Sequence, residues 1–247
     1  RIFSKCFTPV STYPNQISGL SSWLRADSNV TFSIPTKKVS AVGDGSGNAN
    51  GLTQANKGLQ PLRYTYGGGV LDKTMFTFDT DVLVSDNNFV TTTANEQFSI
   101  FEVSKINAVS NAVFGYFYLT DGSLIEMGTN AAGNYEVSVS DGTTVITENT
   151  GTVDTGKYHI ASLRKDGKTI YVDYYDSSNV HDLSKTEAAF VSATSFENEK
   201  FRIGCTQESD GGGPPAAINA RYLDGDFQEV IIYDTKLSND EMAKVVD

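Results

Sequence analysis

The feature that most constrains this chain is a period-two alternation of apolar and polar residues on either side of Asp-Gly dipeptides. In "NYEVSVSDGTTVITENTG", Tyr135, Val137 and Val139 fall on one side and Glu136, Ser138 and Ser140 on the other, before Asp141-Gly142 turns the chain toward Val145. "KYHIASLRKDGKTIYVDYYD" repeats the arrangement, with His159, Ala161 and Leu163 ahead of Asp166-Gly167 and Ile170, Val172 and Tyr174 behind it. Side chains on a strand project alternately to its two faces, and Asp-Gly supplies the positive φ angles of a two-residue turn, so both stretches are predicted antiparallel hairpins. Further strands are predicted at 75–78, 98–105, 112–119, 124–128, 201–205 and 227–233.

Short strands at this density over 247 residues, with 22 glycines and many Ser and Thr, predict an all-β fold: a two-sheet antiparallel jelly-roll sandwich. No Pro/Ser-rich linker and no fixed-period repeat divides the chain, which reads as one domain over 1–247. The strand in "FQEVIIYD" is apolar on both faces, as befits a central strand whose outer face is also covered. A short helix is predicted at the C-terminus. In "LSNDEMAKVVD", Ser238 and Glu241 form a capping box, and Met242, Val245 and Val246 share a face that can cover that strand.

Net charge is −11 at pH 7, and no Lys/Arg cluster stands above that background. Such a surface repels phosphate backbones and anionic lipid, so nucleic acid is excluded as a partner, as is membrane insertion in the absence of a long apolar run. The chain opens on Arg1 with no signal-peptide pattern, which reads as a fragment or a processed product. Cys6 and Cys205 have no zinc-ligand spacing and are either a disulfide or two buried thiols.

"VGDGSGNANGLTQ", residues 42–54, invites several readings. A phosphate loop needs a Lys followed by Ser or Thr and then a helix, and an EF-hand needs a Glu at its twelfth position; the stretch has neither. Its oxygen-rich side chains leave calcium as an optional cofactor, with Asp44 and Asn48 as metal ligands. The favoured reading is a structural turn, because Gly, Asn and Ser supply left-handed conformations and side-chain-to-backbone bonds.

The order of segments resembles the concanavalin A-like lectin and glucanase superfamily, in its laminin-G-like branch. The resemblance runs through "GLSSWLRAD", "VGDGSGNANGLTQ", "QPLRY", "KTMFTFD", "FSIFEVSK", "GKYHIASLRKDGKTIYVDYYD", "FRIGCT" and "YLDGDFQEVIIYDTKLSNDEM". It implies a jelly roll with rim loops that bind carbohydrate and sometimes calcium. "TQESDGGGPPAAINARY" is longer and richer in glycine than a minimal turn of that family, and marks an insertion of this chain's own.

A glucanase of this superfamily carries its carboxylates as Glu-x-Asp-x-(x)-Glu on one strand, and no stretch here has that pattern. The nearest acids, Asp226 and Glu229, are three residues apart and fall on opposite faces of a regular strand. Two histidines, His159 on a strand and His181 in an apparent loop, offer little for a triad or a zinc site; His159 reads as a satisfied core residue. Twelve tyrosines exceed what a core requires, and tyrosine faces stack on sugar rings while Asp and Asn bond the hydroxyls. The expected ligand-binding residues are Tyr116 and Tyr118, with Tyr222, Asp210 and Asn219 at the long loop. The expected function is therefore a non-enzymatic, lectin-like module on a phage virion or another extracellular surface, partnered by cell-surface carbohydrate. One alternative is a virion structural or decoration protein that binds neighbouring virion subunits; the other is a glycan-cleaving hydrolase.

Overall fold

The computed structural model describes residues 14–66, 73–85, 97–108, 113–118, 124–140, 143–175, 180–189, 200–204 and 222–246. Within them the chain forms two antiparallel sheets and one C-terminal helix. The front sheet runs, in spatial order, β15 (Val180–Thr186), β14 (Thr169–Tyr175), β13 (Tyr158–Asp166), β8 (Gln97–Ile106), β17 (Gly225–Tyr233), β6 (Lys73–Phe78) and β5 (Leu62–Tyr66). β1 (Leu20–Arg25) also pairs with β17, alongside its second half. The back sheet runs β12 (Val145–Thr152), β11 (Asn134–Ser140), β10 (Leu124–Thr129), β9 (Val113–Tyr118), β16 (Lys200–Ile203), β7 (Leu83–Ser85), β4 (Leu52–Thr53), β3 (Val39–Val42) and β2 (Val30–Phe32). No helix among the described residues is long and apolar enough to cross a membrane.

The strands of both predicted hairpins pair, although Asp141-Gly142 of the first turn lies outside the described residues. β11 pairs with β12, and β13 with β14, the latter closing at Asp166↔Thr169 with Gly167 at φ 54°. Tyr135, Val137 and Val139 point into the core, as do Ala161, Leu163, Ile170, Val172 and Tyr174, and all eight are buried. They meet Phe76, Phe78, Phe98, Ile100, Ile125 and Phe201 between the two sheets. Burial of apolar surface on this scale, at about 25 cal/mol per Å², is what holds one sheet to the other.

A second apolar cluster lies on the outer face of the front sheet, where Trp23, Phe101, Ile231 and Tyr233 are covered by Leu237, Met242 and Val245 of the C-terminal segment. This accounts for the two-sided apolar character of β17. The covering helix, α1 (Asn239–Val246), starts at the predicted capping box: the Ser238 amide donates to Glu241 Oε2 (2.9 Å) and the Glu241 amide to Ser238 Oγ (3.3 Å). These bonds hold the exposed Glu241 carboxyl below its usual range. Arg164 fastens the segment from beneath, donating to Asn239 Oδ1 (2.8 Å) and pairing with Asp173 Oδ2 (3.1 Å), with all but 3% of its surface buried.

Candidate functional site

A sheet with one face against the core turns its alternate residues to the other face. On the back sheet Ile125, Met127, Tyr135, Val137, Ile146, Phe201 and Ile203 face inward, so the residues between them form the outer face. Registers there set up two rows. One runs Thr147, Ser138, Glu126, Tyr116, Arg202 and Val84; the next runs Ser140, Leu124, Tyr118 and Lys200. The structure thus brings the positions of the expected Tyr116 and Tyr118 beside Glu126 and Arg202, two buried charged residues (8% and 5% exposed) that sequence reasoning passed over. The signal was available: Glu126 stands between two core residues in "LIEMGT", as Arg202 does in "FRI".

Glu136 lies diagonal to Glu126 on the neighbouring strand and opposite Asn149. Its carboxylate accepts from Asn130 Nδ2 (3.1 Å), which also donates to Asn149 Oδ1 (2.9 Å), while Ser138 Oγ and Thr147 Oγ1 share a bond of 3.0 Å. Amide, hydroxyl and carboxylate groups on one face are the chemistry that recognises sugar hydroxyls.

Of the other expected site residues, Tyr222 is half-buried just ahead of β17, and Asp210 and Asn219 lie outside the described residues, as do Cys6 and Cys205. Asp44 sits under the 42–54 turn with its carboxylate facing donors. Oδ1 accepts the amides of Trp23 and Ser46 (both 2.8 Å), and Oδ2 accepts Ser46 Oγ (2.6 Å) and the Asn50 amide (3.1 Å). Asn48 turns its Nδ2 to the carbonyls of Leu20 (2.8 Å) and Ser21 (3.2 Å). These bonds tie the loop to β1 and make it a structural turn. No group of three or more His, Cys, Asp or Glu among the described residues could hold a metal ion.

Two details differ from what strict alternation predicts. Asp226 and Glu229 do not fall on opposite faces: β17 has a bulge between Phe227 and Glu229, and both Phe227 and Val230 enter the core, which places the two acids on the same outer face. Both are engaged there, Asp226 by Lys105 and by Thr77 Oγ1 (2.7 Å), and Glu229 by the Trp23 indole N–H (2.5 Å). Burial pushes the Glu229 carboxyl above its ordinary range, opposed by the Trp23 bond and by Arg25. His159 is buried as expected but only half satisfied: Nε2 is 3.0 Å from Ser104 Oγ and 3.4 Å from Glu102 Oε1, and Nδ1 has no hydrogen bond. Tyr135 reaches from the back sheet to donate to Glu102.

No family model and no curated protein matches the sequence. Solved structures do match. Domain 4 of AbnA, a GH43 extracellular arabinanase from Geobacillus stearothermophilus, in complex with arabinotriose, is 15% identical, with 92% of this chain covering 98% of that one at a TM-score of 0.61. This chain has the concanavalin A-like jelly-roll fold. A Trypanosoma rangeli sialidase matches at 11% identity over 93% of this chain and 33% of its own (TM-score 0.57), and the LG1-3 region of the laminin α2 chain at 12% over 81% and 37% (TM-score 0.51). These neighbours overturn the expectation of a non-enzyme: the jelly roll recurs inside the chains of an arabinanase and a sialidase.

Proposed function

We propose that this chain is a carbohydrate-engaging domain of a glycan-cleaving protein that acts outside the cell, with the glycan lying across the outer face of the back sheet. The observation that carries this reading is the nearly end-to-end match to an arabinanase domain in complex with arabinotriose. The face itself supports it, since the position of Tyr116 stands in one row with Glu126 and Arg202 and that of Tyr118 in the next, near Glu136, Asn130 and Asn149. The loop bearing Asp210 and Asn219, followed by Tyr222, is proposed as a second contact with the same ligand.

One observation favours a stronger reading, in which the chain itself cleaves. Glu126 and Glu136 are diagonal neighbours on adjacent strands, a relation that sets the two residues roughly 7–8 Å apart. Carboxylates at such spacings flank a glycosidic bond in hydrolases. The deciding experiment incubates the protein with a panel of neutral and acidic oligosaccharides, measuring binding by calorimetry and new reducing ends in parallel. Binding that Glu136→Ala and Asn149→Ala weaken about tenfold, the loss of one or two hydrogen bonds to the ligand, supports the site. Reducing ends that vanish in Glu126→Gln support cleavage by the chain, and no binding to any glycan removes the proposal. Association through neighbouring virion subunits is tested separately by sedimentation.

A further inference from the structure

Both sheets end on the same flank. β2 is the last strand of the back sheet and β5 the last of the front sheet, and a bridge at Lys38↔Leu62 joins them, with the Arg63 amide donating to the Lys37 carbonyl (2.8 Å). This flank differs in charge from the rest of the molecule. Between Asn29 and Tyr66 stand Lys37, Lys38, Lys57 and Arg63 against a single acid, Asp44, whose carboxylate is occupied by the turn, in a chain of net charge −11.

Among the described residues, the flank also holds two of the three exposed large hydrophobic side chains, Ile34 at 83% and Tyr64 at 39%. Lys37 takes a left-handed backbone, φ 57°, a conformation that glycine adopts without cost and a long side chain does not. From there its ammonium group stands 5.5 Å from the centre of the Tyr64 ring. The Arg63 guanidinium lies 4.6 Å over Phe32, and Lys38 donates to the Gln60 carbonyl (3.2 Å). Among the described residues no carboxylate lies within ion-pair distance of Lys37, Lys38 or Arg63; Asp27 is paired with Arg25 (2.7 Å), and Asp81, which Lys38 influences from farther off, is buried.

We propose that an acidic polysaccharide crosses the β5 edge on this flank, its carboxylate or sulfate groups meeting Lys37 on one side of the strand and Arg63 on the other, with a sugar ring against the Lys37–Tyr64 pair. The proposal rests on the glycan reading above and adds a substrate class and a second surface to it. The overall negative charge does not forbid such a ligand, because salt screens interactions between exposed charges beyond roughly 8–10 Å and leaves the local cations to act. A folded protein partner would need a broad surface with apolar anchors, whereas a thin charged polymer needs only spaced cations and a ring. Here the anchors amount to Ile34 and Tyr64.

The test is calorimetric titration with polygalacturonate, dextran sulfate, neutral dextran and polyglutamate, at low and at physiological salt. Lys37→Gly is the informative variant, because it removes the charge at a position whose backbone suits glycine, so it should melt no lower than the parent. We expect polygalacturonate or dextran sulfate to bind with a marked salt dependence, and Lys37→Gly combined with Arg63→Gln to weaken that binding at least tenfold. Equal binding of polyglutamate, no effect of the double variant, or no binding of either acidic polysaccharide at low salt would overturn the proposal. Neutral oligosaccharide binding that survives in the double variant and is lost in Glu136→Ala would show the back-sheet site intact when this one fails. Loss of all glycan binding to the parent protein would mark failure of the wider reading.

Discussion

Asp44 shows how one side chain decides between a ligand site and a turn. Its carboxylate accepts four donors from Trp23, Ser46 and Asn50, so Asp44→Ala strands three backbone amides, while the Ser46 hydroxyl keeps the Ser21 carbonyl, and should cost about 2–4 kcal/mol in a urea titration. A chelator should leave the melting temperature of the parent protein where it is; a fall on chelation would return Asp44 and Asn48 to the role of metal ligands. Asp81 makes a different prediction. Burial raises its carboxyl to about 6, against the opposing bond from the Asp79 amide and the charge of Lys38. Between about pH 4 and 6 the folded protein therefore keeps a proton that the unfolded chain has released. The stabilisation is complete below about pH 4 and is lost as pH rises through 6, on the order of 3 kcal/mol. Asp81→Asn lacks that proton, so the stability difference between parent and variant should change across this window, and a constant difference would refute the assignment.

At the level of elements, β17 carries the most structural weight, pairing with β8 along one edge and with β6 and then β1 along the other. That close packing needs a glycine at its start, because a Cβ on Gly225 would run into the Lys105 carbonyl of β8. Gly225→Ala should destabilise the protein by about 1–3 kcal/mol, the cost of overpacking a site walled by backbone, and a neutral result in thermal melting would show that β8 can move aside. The capping box of α1 and the Asp166-Gly167 hairpin were legible in the sequence because their signals are local and lie within a few residues of one another. The β17 bulge was not. Its extra residue is defined by the register against β8, and nothing in "DGDFQEVIIYD" marks where alternation slips.

Across the whole molecule, the two sheets are joined by apolar packing and, within it, by a buried polar tie from Tyr135 on β11 to Glu102 on β8, with His159 edge-on and Tyr174 tilted against the Tyr135 ring at 5.4 and 5.1 Å. Burial, reinforced by the Glu102 carboxylate, holds the Tyr135 hydroxyl well above its ordinary range, so it remains a donor. Tyr135→Phe removes that donor and leaves a buried carboxylate short of a partner, with an expected loss of about 1–3 kcal/mol; Glu102→Gln, which keeps an acceptor, should cost less. Equal losses in equilibrium unfolding would mean that the tie is not the hydrogen bond described here.

The sequence by itself determined the all-β class, both hairpins, the helix with its cap, and the burial of alternate residues, because each of these follows from spacing over a few positions. It also placed Tyr116 and Tyr118 on one strand. Tertiary structure alone decided that Glu126, Glu136 and Arg202 join those tyrosine positions on one face, that Asp226 and Glu229 share a side, and that the ends of the two sheets gather Lys37, Arg63 and Tyr64 on one flank. Those neighbours come from strands far apart in the chain, and their meeting is set by pairing order and register, which no local pattern encodes.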